Sequence, residues 1–223
     1  MRHAFRRQWW SLTHRDYIKR LPAPDRALFE SVTHGITQNV EVLLERGADP
    51  NLRLIYGMPL IAFCASMGRI DAVRALLDAG ADINAGTPSL GFNALLNAAD
   101  KGNLDLVRLL IQRGAETEAR LSSGATPLML AARNGHTDAV ALLLASGARR
   151  DATNAKGATA LIFASIFGHS EVAQALLDAG ADPSARTASG RTALNYAKKK
   201  GHQELIAMLS QARDGKERSE AVL

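Results

Sequence analysis

The sequence predicts an all-α repeat solenoid of about six helix-turn-helix units joined by hairpin-like loops, and three observations carry that prediction. Glycine recurs in three ladders: Gly35, Gly68, Gly102, Gly135, Gly168, Gly201; then Gly47, Gly80, Gly114, Gly147, Gly180; then Gly57, Gly91, Gly124, Gly157, Gly190. In each ladder every step is 33 residues except one of 34, and all three place that extra residue near Thr87-Pro88. Between the first two ladders each unit but the last repeats an apolar set at i, i+3, i+4, the stripe of a packed helix. Composition agrees, with 47% hydrophobic residues but only 5% aromatic, which suits many small helices. A fixed period of this length marks units that cannot bury their stripes alone and must stack.

The elements follow in order. Residues 1–24 form a basic arm outside the repeat, with Arg2, Arg6, Arg7, Arg15, Lys19 and Arg20 against Asp16. The body is close to neutral, so the pI of 9.7 belongs to the arm. Phe5, Trp9 and Leu12 stand at i, i+4, i+7, and Tyr17, Ile18 and Leu21 extend that face until Pro22 and Pro24 end any helix. The arm is read as a helix capping the first unit. Two other readings stay open: a tether to anionic membrane or nucleic acid, and a cleaved organelle presequence.

The repeat body spans 25–210, divided at 25–53, 54–86, 87–120, 121–153, 154–186 and 187–210. The first unit opens at Arg26-Ala27-Leu28 and carries Val40, Leu43 and Leu44 on its second helix. The second is anchored at Ile61 with Val73, Leu76 and Leu77, and the third at Leu95 with Val107, Leu110 and Ile111. In the fourth, Thr126 is a hydroxyl N-cap, Pro127 suits the first helical position, and Leu128 is the apolar anchor. Gly135 then stops the helix in a conformation costly for other residues. A second helix starts at about Asp138, where a carboxylate faces the positive helix end, and carries Val140, Leu143 and Leu144. The fifth unit repeats this with Leu161, Ala173, Leu176 and Leu177. The sixth, anchored at Leu194, ends before any Gly-Ala and is read with the first as a cap. Residues 211–223 read as a polar, solvated tail.

These residues resemble the ankyrin-repeat family over about residues 26–210. The resemblance rests on Thr126-Pro127-Leu128 with Ala131-Ala132, the shortened Thr159-Ala160-Leu161 and Thr192-Ala193-Leu194, the Gly-His pairs at 135/136, 168/169 and 201/202, and the Gly-Ala-Asp ends. Only the fourth unit has the full Thr-Pro-Leu. The resemblance implies a curved stack whose partners are held on the concave side by hairpin tips and by the two residues before the first-helix glycine. Mapped here, those positions include Arg53, Ile55, Tyr56, Met58, Met67, Leu90, Phe92, Lys101, Arg120 and Arg133. Farther along they include Lys156, Ile166, Phe167, Arg186, Arg191, Lys199 and Lys200. Over the full set of such positions nine are basic and one, Asp100, is acidic, while the apolar members gather in the second and third units.

Catalysis is not expected. Equivalent residues of successive units stand a helix spacing apart, about 8–10 Å, so His136, His169 and His202 cannot share a metal whose bonds are ~2 Å long. Cys64 aligns with Ala98 and Ala131 and reads as a buried filler rather than a nucleophile. No phosphate-binding glycine loop is present, and no cofactor or metal is expected. No apolar run approaches the roughly 18 residues of a membrane span. One cysteine fits a reducing compartment, so the expected location is cytoplasmic. The expectation is therefore a monomeric protein-binding module taking an apolar and acidic partner segment. The alternative is an anionic-membrane or nucleic-acid binder acting through the arm and the basic end around Arg186, Arg191 and Lys198–Lys200.

Overall fold

The computed structural model describes residues 17–220, and in them the repeats become six successive helix pairs. These are α1 (Ala23–His34) with α2 (Gln38–Glu45), α3 (Leu60–Ser66) with α4 (Ile70–Asp78), and α5 (Ala94–Lys101) with α6 (Leu104–Gln112). Then come α7 (Pro127–Arg133) with α8 (Thr137–Ala145), α9 (Ala160–Phe167) with α10 (Ser170–Asp178), and α11 (Ala193–Lys200) with α12 (Gln203–Glu220). The expected Thr126 cap forms, and Asn93, Thr159 and Thr192 cap their helices in the same way: the four side chains accept the backbone N–H groups of Met129, Leu96, Ile162 and Asn195 respectively. Each satisfies one N–H that the first helical turn leaves without a partner.

From the second pair onward, first helices pack side by side as an inner layer, and second helices line up behind them more loosely. One core runs through the whole stack, from Leu28 through Leu95, Leu128 and Leu161 to Leu209. At the start of the stack α1 stands farther from α3 than the later first helices stand from one another. The Phe29 and Phe63 rings, with centroids 5.8 Å apart, fill that space.

The arm joins the stack where it is described. Residues 17–20 form a helical turn, the Tyr17 hydroxyl donates to the Arg53 carbonyl at 2.6 Å, and Ile18 and Leu21 pack on the core. Phe5, Trp9, Leu12 and the arginines at 2, 6, 7 and 15 lie outside the described residues. At the other end, α12 continues to Glu220, so the segment read as a solvated tail begins as helix.

Between the pairs the chain runs out and back as fingers. Leu54, Thr87, Leu121, Asn154 and Thr187 each donate backbone N–H across their own finger, to Met58, Phe92, Ala125, Ala158 and Arg191. Adjacent tips are tied as well: Ser122 N donates to Leu90 O at 3.0 Å, Ala155 N to Ser123 O at 3.0 Å, and Ala188 N to Lys156 O at 2.9 Å.

A groove between the first two fingers

That tie is missing between the finger bearing Tyr56 and the finger bearing Leu90, where the one-residue insertion falls. Gly91 N bonds back to Thr87 O, four residues away, whereas in the other fingers the corresponding glycine N–H reaches back three. The longer finger leans on its neighbour through the Pro88 ring, which sits against Gly57. Below, on α5, Asn97 occupies the place held by Phe63, Leu130, Phe163 and Tyr196 in the sister units. Its amide is held down on the Asn93 and Ala62 carbonyls. A longer finger and a smaller side chain together leave a groove of about 540 Å³.

Ile55, Tyr56, Met58, Leu90, Phe92 and Lys101 line this groove, so the structure brings together six of the residues picked out by sequence. Tyr56 is the only described non-glycine residue with positive φ, at 60°, and the residue is 73% exposed. A left-handed backbone costs a non-glycine residue ~1–2 kcal/mol, and such strain gathers at working sites. Leu90, opposite, is 54% exposed. Met67 is exposed at the end of α3 but does not line the groove, and Phe167 is exposed at the end of α9 beside half-buried Ile166. Arg133 and Lys156 border a second groove of about 370 Å³ in the fourth and fifth repeats, floored by Met129 and Phe163. Ala125 and Ala158, which the same mapping places at finger positions, are buried and have no surface to offer.

The basic residues divide into two kinds. Arg53 Nη1 donates to Gly57 O and, one unit on, to Gly86 O; Arg120 Nη1 donates to Gly124 O and to Thr153 O; Arg186 Nη1 donates to Gly190 O. These arginines staple fingers. Arg133 Nη2 meets Asp100 Oδ1 at 2.6 Å, which pairs off the one acid of the face. Arg191 lies over the Tyr196 ring at 6.0 Å, and the Thr187 hydroxyl, foremost among its neighbours, draws the Tyr196 phenol below its usual range. Lys101, Lys156, Lys199 and Lys200 are exposed, with no carboxylate in ion-pair range among the described residues.

Two of the repeat histidines tie neighbouring units together. His136 Nε2 lies 3.2 Å from Asp100 O and His169 Nε2 3.0 Å from Arg133 O, each reaching the first helix of the preceding unit. A Cβ built on Gly135 would fall 2.7 Å from His169 Nδ1, so that glycine both ends its helix and admits the next unit's ring. Cys64 is fully buried, and that burial pushes its thiol up to about 12. Among the described residues no three His, Cys, Asp or Glu side chains gather as a metal site, and no helix is long and apolar enough to cross a membrane.

Asn97 was not singled out from the sequence, and Pro88 was named only as the place of the inserted residue. The signal was there: a small polar residue at a position otherwise bulky in the repeats, and one broken step in three glycine ladders.

Comparison with known proteins agrees with this architecture. A family model described as "Ankyrin repeats (3 copies)" matches residues 28–120, 61–154, 95–187 and 149–219. The chain is 38% identical over 102 residues to the human "Ankyrin repeat and KH domain-containing protein 1", and 37% identical over 103 residues to the Drosophila melanogaster "Ankyrin repeat and KH domain-containing protein mask". These matches cover 45% and 46% of this chain but only 4% and 3% of those proteins. It is also 33% identical to human "Cyclin-dependent kinase 4 inhibitor B" over 104 residues, 47% of this chain and 75% of that one.

Proposed function

Since this chain belongs to the ankyrin-repeat family, we propose that it is a binding module whose inner face of fingers and first helices holds a partner protein segment that is both apolar and acidic. Ankyrin repeats are in general protein–protein interaction modules and typically non-catalytic. The observation that carries the finer reading is Tyr56: a strained backbone presents an exposed ring at the mouth of a groove lined by Leu90 and Phe92. Exposed aromatic and apolar anchors beside a pocket are what binding energy is built from. The uncommitted lysines at 101, 156, 199 and 200 favour carboxylates on the partner and steer its approach.

The test is selection of random peptides displayed on phage against the folded protein, with counter-selection on a Tyr56→Ala, Leu90→Ala variant. A consensus joining a bulky apolar residue to Asp or Glu is expected. Enrichment of basic peptides, or of peptides that bind the variant equally, sinks the reading.

A second reading rests on the exposed cations Arg191 and Lys198–Lys200: an anionic membrane or nucleic acid held through that basic patch and through the basic N-terminal arm. Counterion release makes such binding fall steeply with salt. An aromatic-anchored protein contact loses far less over the same range.

A further inference from the structure

The apolar and cationic determinants of the inner face occupy different parts of the stack. The groove with Tyr56 and Leu90 belongs to the second and third repeats, whereas Lys156 stands on the fifth and Lys199 and Lys200 on the sixth. Near the groove Asp100 and Arg133 are paired, Arg53 is held on backbone carbonyls, and Lys101 is the cation left free to meet a carboxylate. Stacked helices advance about 8–10 Å per unit. From the groove to Lys156 is thus roughly 20–25 Å, and to Lys199 and Lys200 roughly 30–35 Å. An extended chain covers ~3.3 Å per residue, so these spans correspond to about six to ten residues.

Resting on the binding function above, we infer that the partner segment is extended and bipartite: a bulky apolar side chain seats between the first two fingers, and a run of carboxylates lies about six to ten residues away over the fifth and sixth repeats. A segment whose acidic and apolar groups adjoin reaches only one of the two sites. One with the right separation engages both, and the second contact then forms at high effective concentration.

The experiment uses fluorescein-labelled synthetic peptides with one tryptophan, an extended proline-rich spacer of about one, four, eight or sixteen residues at ~3.1 Å each, and four glutamates, made in both chain directions. Anisotropy is read against the full chain. The spacer of about eight should bind at least ~10-fold tighter than the shortest, in one direction or both. Lys199→Glu with Lys200→Glu should erase that optimum, bringing the eight-residue spacer down to the affinity of the shortest. Tyr56→Ala with Leu90→Ala should abolish binding at every spacer length. Affinity independent of spacer, yet lost in the Tyr56, Leu90 variant, overturns the bipartite arrangement and leaves the groove standing. Binding indifferent to the Tyr56, Leu90 variant, or no binding by any peptide, overturns the function on which it rests.

Discussion

The ring of Pro88 rests on Gly57 so closely that a Cβ built on the glycine would lie 2.8 Å from the proline Cγ. This contact stands where every later finger pair has a backbone hydrogen bond, so Pro88 acts as a spacer that holds the groove open. Deleting Pro88 restores the 33-residue period and lets Ser89 N take up the bond to Tyr56 O that Ser122 N makes to Leu90 O. One such bond is worth ~1 kcal/mol. The deletion variant is therefore expected to melt no lower than the parent by circular dichroism, yet to bind the tryptophan peptides at least ~10-fold more weakly. A folded variant with parental affinity would contradict the spacer role.

Stability and binding should also part company at Tyr56. Its φ of 60° suits glycine, so Tyr56→Gly removes the strain while raising the entropy of the unfolded chain. These terms, ~1–2 kcal/mol and ~0.4–1 kcal/mol, oppose each other. The net expectation in urea unfolding is an unchanged or slightly higher midpoint. Loss of the ring should nevertheless weaken binding by about 1.4 kcal/mol or more, a ~10-fold effect. A variant that is destabilised but binds normally would show the tyrosine to be structural.

Much of this is legible in the sequence. The glycine ladders placed the helix ends because a left-handed stop is a local requirement: α1, α5, α9 and α11 end at Gly35, Gly102, Gly168 and Gly201. Tyr56, Leu90 and Phe92 were visible as apolar residues at positions the fold leaves variable. The fates of the arginines were not, since Arg53, Arg120 and Arg186 count as surface charge by composition but are aimed at carbonyl groups in their own fingers and, for Arg53 and Arg120, in the next. A charge count sees the residue; only geometry shows that its hydrogen bonds are already used. The groove was hidden for a related reason, because it depends on what Asn97 fails to fill.

Protection from hydrogen exchange should follow position in the stack. α8 is packed between α6 and α10, whereas among the described residues α12 has a second-helix neighbour on one side alone. In a nearest-neighbour array the terminal unit opens at lower free energy than an interior one. In addition, His202 Nε2 is buried without a hydrogen-bond partner, while His136 and His169 make theirs. Amides at Leu142–Leu144 are expected to exchange more slowly than those at Leu205–Leu209. The reverse order would mean that the last pair is held by something other than its contacts with the fifth.

Alkaline pH offers a separate handle on the core through Cys64. Burial raises its thiol from 9.0 to about 12 in the folded chain, so above pH 9 the unfolded chain gives up a proton that the folded one keeps. A group whose folded value lies above its unfolded value contributes its full share below the unfolded pKa and loses it as pH rises. The contribution of Cys64 should therefore decline between about pH 9 and 12, by no more than about 1.4 kcal/mol per pH unit. Cys64→Ala matches the alanines at 98 and 131 and leaves only a small void. Chemical unfolding of both forms at pH 7.5 and pH 10 isolates the effect, since every other titrating group is shared. The parent should lose more stability than Cys64→Ala over that interval, and its thiol should resist Ellman's reagent until the chain unfolds. Equal losses, or rapid labelling of the native protein, would show that the thiol reaches solvent.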